Sequence, residues 1–119
     1  MTTSYTTQEL HNQGLNQSIL FYIGKSAKGN FEIIDLASPD DMWFHINGDS
    51  SAHVIAQIPD TIDRKQMKYI VKQGAVLCKQ ISRHKSEKKT EIIYTQVKNV
   101  QKTETIGAVH CVNTKIVTI

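Results

Sequence analysis

The sequence predicts an α+β fold in which a mostly antiparallel β-sheet packs against one long α-helix. A length of 119 residues fits a single domain with one hydrophobic core. Several short runs rich in β-branched and aromatic residues are separated by turn-forming residues, as is typical of strands. Between residues 62 and 82 the apolar side chains instead recur with helical spacing. The composition, 39% hydrophobic and 21% charged, excludes the disordered and fibrous classes.

The N-terminal part is predicted to contain a leader and two strands. Residues 1–17 are polar and lack an apolar period, so we expect a loosely ordered leader whose removal is tolerated. The folded domain is then expected to span residues 18–119. Residues 18–24 and 31–36 are short apolar runs on either side of the turn residues Lys28-Gly29-Asn30. These two runs predict the first strands of the sheet.

A hairpin and three closing strands complete the predicted sheet. Residues 42–46 and 52–58 flank Asn47-Gly48, a dipeptide that favours the turn of a β-hairpin. The closing strands are expected where short apolar runs return near the C-terminus, over residues 90–97, 108–112 and 115–119.

The predicted helix over residues 62–82 has recognisable ends. Asp60 or Thr61 is expected to accept the free amides of its first turn, and a cluster of basic residues begins at Arg83, where the helix dipole is negative. Cations recur at spacings of three, four, seven and four and are expected to line the solvent side of the helix. They are Lys65, Lys68, Lys72, Lys79 and Arg83.

The charge is distributed unevenly along a chain whose net charge is only +3. Residues 1–63 carry two cations and eight carboxylates, a net charge of −6, whereas residues 64–102 carry eleven cations and two carboxylates, a net charge of +9. Such an excess attracts a polyanion by counterion release and holds its phosphates without reading sequence. Aromatic residues, if exposed, would stack on unpaired bases and favour RNA loops or single strands over duplex. The candidates are Tyr22, Phe31, Trp43 and Tyr94.

Other features narrow the class of protein. The longest uninterrupted apolar run, residues 19–23, is far shorter than the roughly 20 residues that a bilayer span needs. The first seventeen residues show no secretory signal, so we predict a cytoplasmic protein. Cys78 and Cys111 are too few for a disulfide scaffold and are expected to be reduced thiols. No cofactor is predicted.

The pentad from Asp41 to His45 combines the only tryptophan of the chain with a carboxylate and an imidazole. Strand alternation places Trp43 and His45 on one face and Phe44 on the other. His53 lies opposite His45 if the hairpin loop has three or five residues, and on the other face if it has two or four. If the groups converge, they would orient a phosphate or ribose, bind a metal, or perform acid–base chemistry.

Catalytic and metal sites have weaker support in the sequence. A metal site needs a third convergent ligand, and no residue has that spacing, so none is predicted. Ser51 and His53 are only two residues apart, which does not define a nucleophile and its base. Gly24-Lys25-Ser26 lacks the earlier glycine and the following helix pattern of a phosphate-binding loop. No catalytic residue is predicted.

Several segments follow one another in the order seen in the NFACT RNA-binding domain family, which the chain resembles from about residue 18 to its end. They are Ile23-Gly-Lys-Ser-Ala27, Asp40-Asp-Met-Trp-Phe-His45, Ser51-Ala-His-Val54, Ile92-Ile-Tyr-Thr95, Gly107-Ala-Val109 and Ile116-Val-Thr-Ile119. The resemblance is greatest to the branch of short members that contain a coiled coil. Many members carry Pro-Gly-Ser-His where this chain has Ser50-Ser-Ala-His53.

The resemblance implies an α+β domain that binds RNA, and the larger members contact tRNA on the separated large ribosomal subunit. The family's motif positions correspond to Lys25, Asp41, Trp43, Phe44, His45, Ser51 and His53. The predicted interface adds the cations Lys65, Lys68, Lys72, Lys79, Arg83, Lys85 and Lys98.

The predicted function is therefore RNA binding without a required reaction. The predicted partner is tRNA or rRNA, on ribosomal particles and in ribosome-associated quality control. The alternatives are an RNA-processing phosphoesterase that uses His45 and His53, a DNA-binding domain, and a protein-interaction module. No oligomeric state is predicted.

Overall fold

The structure is a computed structural model that describes residues 4–119, and its centre is an antiparallel sheet. The strands are β1 Tyr5–Asn12, β2 Gln17–Gly24, β3 Met42–Ile46, β4 Val54–Ala56, β5 Glu91–Gln96, β6 Val100–Lys102, β7 Val109–Cys111 and β8 Lys115–Thr118. The helices are α1 Ala27–Leu36, α2 Arg64–Gln80 and a short 3-10 turn, Val97–Asn99. Six strands pair in the order β1-β2-β4-β3-β5-β8, and β6 and β7 form a separate ribbon.

Both faces of the sheet are covered, because residues on both faces of its central strands are apolar. Helix α2 packs on one face, where Phe44 is fully buried in a cluster with Ile70 and Cys78. Helix α1 and the β6–β7 ribbon cover the other face, where Trp43 packs in a second cluster with Ile33. Alternation along β3 therefore sends the two aromatic side chains into two separate cores.

The prediction of one long helix is only partly confirmed, because the described chain has two α-helices. Residues 31–36, predicted as a strand, belong to α1, which begins after Ser26, whose Oγ accepts a hydrogen bond from the Gly29 amide at 3.0 Å. Ile33 and Ile34 look strand-like in sequence but both pack against the sheet from one helix face. Leu36, the last residue of α1, is half exposed.

The structure has a helix directly after Gly24-Lys25-Ser26, where the sequence predicted none. The earlier glycine of a phosphate-binding loop is still absent from the sequence. Gly29 lies inside α1. A Cβ atom at this position would be 1.6 Å from the carbonyl oxygen of Ser4, so a larger residue does not fit there. Gly29 is therefore needed for close packing and does not mark the turn that the sequence predicted.

The prediction of a loosely ordered leader is wrong for residues 5–12. These residues form β1, which pairs with β2 from Tyr5 opposite Gly24 to Asn12 opposite Gln17. β1 is an edge strand with mostly polar, exposed side chains. It therefore lacks the apolar pattern by which a central strand is recognised in a sequence. Residues 1–3 of the predicted leader lie outside the described residues.

Helix α2 and the later strands lie close to their predicted positions. The helix N-cap is Asp63, however, and not Asp60 or Thr61. Asp63 Oδ1 accepts from the Gln66 amide at 2.8 Å, and Gln66 Oε1 accepts from the Asp63 amide at 3.0 Å, which forms a capping box. None of the helices described over residues 4–119 is long and apolar enough to cross a membrane.

Gly74→Ala is expected to destabilise the domain by about 1 to 2 kcal/mol, because a Cβ atom there would lie 2.4 Å from two carbons of the Phe44 ring. Helix propensity alone predicts the opposite, a gain of about 0.5 to 1 kcal/mol. The free energies of unfolding in urea of Gly74→Ala, Phe44→Leu and the double variant measure the energetic coupling between positions 74 and 44. The steric explanation requires the double variant to lose less stability than the sum of the single losses.

Candidate nucleic-acid interface

The residues predicted to bind nucleic acid lie on two opposite sides of the sheet. Trp43, His45 and His53 lie on the side covered by α1 and the β6–β7 ribbon, and we call them the ring cluster. Lys65, Lys68 and Lys72 are exposed on α2, which packs against the other side, and we call them the α2 stripe. The residues of the single predicted interface therefore form two separate surfaces in the structure.

The β3–β4 register brings the two histidines together. Phe44 pairs with Val54, and the same register places the neighbouring His45 opposite His53, as an odd-length loop requires. Their ring centroids are 5.0 Å apart, and the rings are nearly perpendicular. Trp43 stacks on His45 at 5.6 Å with an interplanar angle of 3°, and it meets His53 edge-on at 5.2 Å.

Both imidazoles of the ring cluster are neutral at physiological pH. Burial, and to a smaller extent the adjacent His45, lowers the pKa of His53 to about 3. Burial also lowers the pKa of His45, although the Ile46 backbone and Asp49 oppose this effect. Neutral imidazoles donate and accept hydrogen bonds but do not neutralise phosphate.

A cleft of about 930 Å³ opens over the ring cluster. Its walls come from the β3–β4 loop, the start of α1 and the β6–β7 ribbon with its connecting loop. Trp43 Nε1 and His53 Nδ1 are buried there and have no hydrogen-bond partner within the described residues. Among residues 4–119, no lysine or arginine lines the cleft.

Three family motif positions support the backbone and do not form an exposed contact surface. Asp41 is 3% exposed, and its two carboxylate oxygens accept from the Ser38 and Ile58 amides at 2.8 and 2.9 Å. Phe44 is fully buried. Ser51 Oγ accepts from the Ile46 amide at 3.2 Å and so closes the hairpin loop.

Lys79 does not lie on the solvent side of α2, so that expectation is wrong. Its side chain is buried, and Nζ donates to the main-chain oxygens of Glu87 and Ile119 at 2.6 and 2.8 Å. The spacing of seven residues from Lys72 is helical, but the loop after α2 and the end of the chain cover that position. Lys79 therefore joins the last turn of the helix to the C-terminal residue.

Some of the remaining cations pair with acidic residues from the N-terminal half. Arg83 makes a bidentate pair with Asp49, and Lys98 Nζ lies 3.3 Å from Asp40. Arg83 strongly lowers the pKa of the Asp49 carboxyl, with a smaller effect from His84. Within residues 4–119, the α2 stripe, Lys25 and Lys85 form no ion pair. The unneutralised part of the basic segment is thus concentrated on α2 and the loop that follows.

Residues that the sequence analysis missed also shape the cleft. Asn30, read as a turn residue, accepts a hydrogen bond from the His53 amide through Oδ1 at 3.0 Å. Asp49 lines the rim and binds both Arg83 and His84 Nε2, the latter at 2.7 Å. All three contacts join residues more than twenty positions apart, so no local sequence pattern identifies them.

The structure is that of a small α+β domain with a row of exposed cations on one helix. A family model described as NFACT protein RNA binding domain matches residues 7–111. The chain belongs to this family, and membership supports a general RNA-binding role.

Two relatives are similar to parts of the chain. Coiled-coil domain-containing protein 25 of Danio rerio is 34% identical over 89 residues, which cover 69% of this chain and 41% of that protein. The C-terminal part of the fibronectin/fibrinogen-binding protein from Streptococcus suis has a TM-score of 0.73 and 17% identity, with 85% of this chain and 40% of that chain covered. The second likeness shows the shared fold, and the chain spans less than half of either relative.

Proposed function

We propose that the domain binds RNA by placing the sugar–phosphate backbone along the α2 stripe. The observation that carries this proposal is the row of three exposed lysines at positions 65, 68 and 72, none paired with a carboxylate within residues 4–119. Spacings of three and four residues place their ammonium groups along one side of the helix. Lys85, exposed in the loop after α2, is proposed as a further phosphate contact of this surface, and exposed Lys25 as a phosphate contact on the other side of the sheet.

The proposed RNA is tRNA or rRNA, bound in the cytoplasm during ribosome-associated quality control. Membership of the NFACT RNA-binding family supports RNA as the partner, and the resemblance to its larger members supports the ribosomal setting. Crosslinking in cells followed by sequencing of the attached RNA tests the target. Recovery of mainly messenger RNA, or of DNA, would contradict it.

The histidine pair favours binding over phosphoester cleavage. The two rings are close enough to act together, as the phosphoesterase alternative requires. However, burial keeps the pKa of His53 near 3, and the cleft has no lysine or arginine to hold a phosphate. A general acid works best with a pKa near the working pH, and a phosphoryl transition state needs cationic stabilisation.

Lys68→Glu combined with Lys72→Glu is expected to weaken binding of a single-stranded RNA about tenfold. The loss of two phosphate contacts is also expected to lower the slope of log K against log salt by about 1 to 2. Fluorescence anisotropy of a labelled RNA at several salt concentrations measures both quantities.

A matched control changes the net charge equally at other positions. Lys102→Glu with Lys115→Glu alters two exposed lysines outside α2 and the loop that follows it, and is expected to keep most of the affinity. Equal losses in the two double variants would mean that only total charge matters, which would end the assignment to α2. Competition between RNA and DNA of the same sequence separates RNA binding from general polyanion binding.

A further inference from the structure

The cleft over the ring cluster contains buried polar groups that need partners. Trp43 and His53 are each 2% exposed, yet Trp43 Nε1 and His53 Nδ1 make no hydrogen bond within the described residues. Buried polar groups in folded proteins are nearly always paired, and an unpaired one costs about 1 to 3 kcal/mol. Both residues line one open cleft, so the cleft is the route by which an entering molecule can supply the two missing partners.

The electrostatics of the cleft select a neutral occupant. Its lining has no lysine or arginine, and Asp49 on the rim is already bound by Arg83 and His84. Both ring-cluster imidazoles are uncharged at physiological pH, since burial lowers the pKa of each. A phosphate or carboxylate in the cleft would therefore lose hydration without meeting a lysine or arginine side chain of residues 4–119.

The shape of the cleft favours a flat ring with polar edges. Trp43 and His45 stack in parallel at its floor, and apolar side chains from the β6–β7 ribbon and β5 form part of its walls. Gly107, with φ of +87°, holds the ribbon's loop against α1, because a Cβ atom there would lie 2.7 Å from Ala27 Cβ. A volume of about 930 Å³ is in the range of small-molecule sites.

We propose that this cleft binds one unstacked nucleobase of the RNA, with Trp43 Nε1 and His53 Nδ1 hydrogen-bonded to the base edge. The edge of the base faces Trp43 and His53, and its ring packs against the apolar side chains of the β6–β7 ribbon and β5 that line the cleft. Lys25 and Lys28 are exposed and flank Ala27, a lining residue, so they are close enough along the chain to meet the adjoining phosphates. The proposal rests on the proposed RNA-binding function but uses a surface on the other side of the sheet from the α2 stripe.

The test uses Trp43, the only tryptophan, as an internal reporter. Uridine, cytidine, adenosine and guanosine 5′-monophosphates are titrated against the protein, with ribose 5-phosphate as the control. Saturable quenching by at least one nucleotide and none by ribose 5-phosphate is expected. The same change with ribose 5-phosphate, or no change with any nucleotide, would overturn the proposal.

A second measurement uses RNA with a single bulged nucleotide and the same RNA with an abasic bulge. The abasic RNA is expected to bind about tenfold more weakly. Ala108→Leu, at an exposed position that lines the cleft, and His53→Leu, at its buried floor, are expected to abolish this difference. The Ala108 variant leaves the floor intact, so it remains informative if His53→Leu fails to fold. An equal affinity of the native protein for both RNAs would contradict the proposal.

The Lys68→Glu, Lys72→Glu variant separates the two proposals. It is expected to lose RNA affinity and to keep the nucleotide-dependent quenching of Trp43. If RNA binding survives in this variant but depends on the bulged base, the stripe is wrong and the cleft is supported. If the stripe matters and the base does not, the cleft proposal alone fails.

Discussion

Asp41→Ala is expected to destabilise the domain by about 3 to 5 kcal/mol. The carboxylate is buried and accepts hydrogen bonds from the Ser38 and Ile58 amides, so its removal leaves two partly buried donors without partners. Each such donor costs about 1 to 3 kcal/mol, and the cavity left by the side chain adds to the loss. The free energy of unfolding from urea denaturation measures the effect.

The neighbouring residue provides the control for this change. Asp40 is exposed, and its contact with Lys98 is 3.3 Å long, so Asp40→Ala is expected to change stability by less than about 0.5 kcal/mol. Asp41→Asn keeps one acceptor and should fall between the two. If Asp41→Ala folds with native stability but fails to bind RNA, Asp41 would be a contact residue and the structural role would be wrong.

Acidification is expected to destabilise the domain through His53. Its pKa is about 3 in the folded state against an ordinary value of 6.5, so the unfolded chain takes up a proton that the folded chain excludes. Stability is therefore highest above pH 6.5 and falls as the pH drops towards 3. Between pH 6.5 and 4.5, His53 alone accounts for a loss of about 2 kcal/mol.

Two other histidines change the stability of the domain between neutral and acidic pH, in opposite directions. His45, which faces His53, acts in the same direction because burial lowers its pKa. Asp49 and Glu87 raise the pKa of His84, so His84 stabilises the fold at lower pH and opposes the loss. Denaturation at each pH should show a smaller acid loss for His53→Gln and the native loss for His11→Gln, which alters an exposed histidine. Identical profiles for the native protein and His53→Gln would contradict the assignment.

The parts of the fold that the sequence predicted are those with a strong local pattern. Helix α2 has an amphipathic period, and β3 to β5 are short apolar runs that become the centre of the sheet. Local patterns did not predict α1, because Ile33 and Ile34 have high β propensity. The N-cap Ser26 is a common residue type and does not by itself identify the start of a helix. It also missed β1, whose side chains are polar because the strand lies at the edge of the sheet.

The candidate site was predictable as a set of residue types but not as an arrangement. Alternation correctly separated Trp43 from Phe44, whereas the pairing of His45 with His53 depended on a loop length that the sequence left open. Lys79 follows the helical spacing of the α2 stripe, yet a distant part of the chain covers it. Burial by segments far apart in sequence decides such cases, and periodicity within one helix carries no information about it.

The position of β1 has a consequence for any shortened form of the chain. β1 pairs with the backbone N–H and C=O groups along one edge of β2. The central residues of β2 include the buried Phe21 and Ile19. A chain that started at residue 18 would present an apolar strand with free amides and carbonyls, which is a template for intermolecular strand addition and aggregation. The polar N-terminal strand thus acts as a solubilising cover for the sheet.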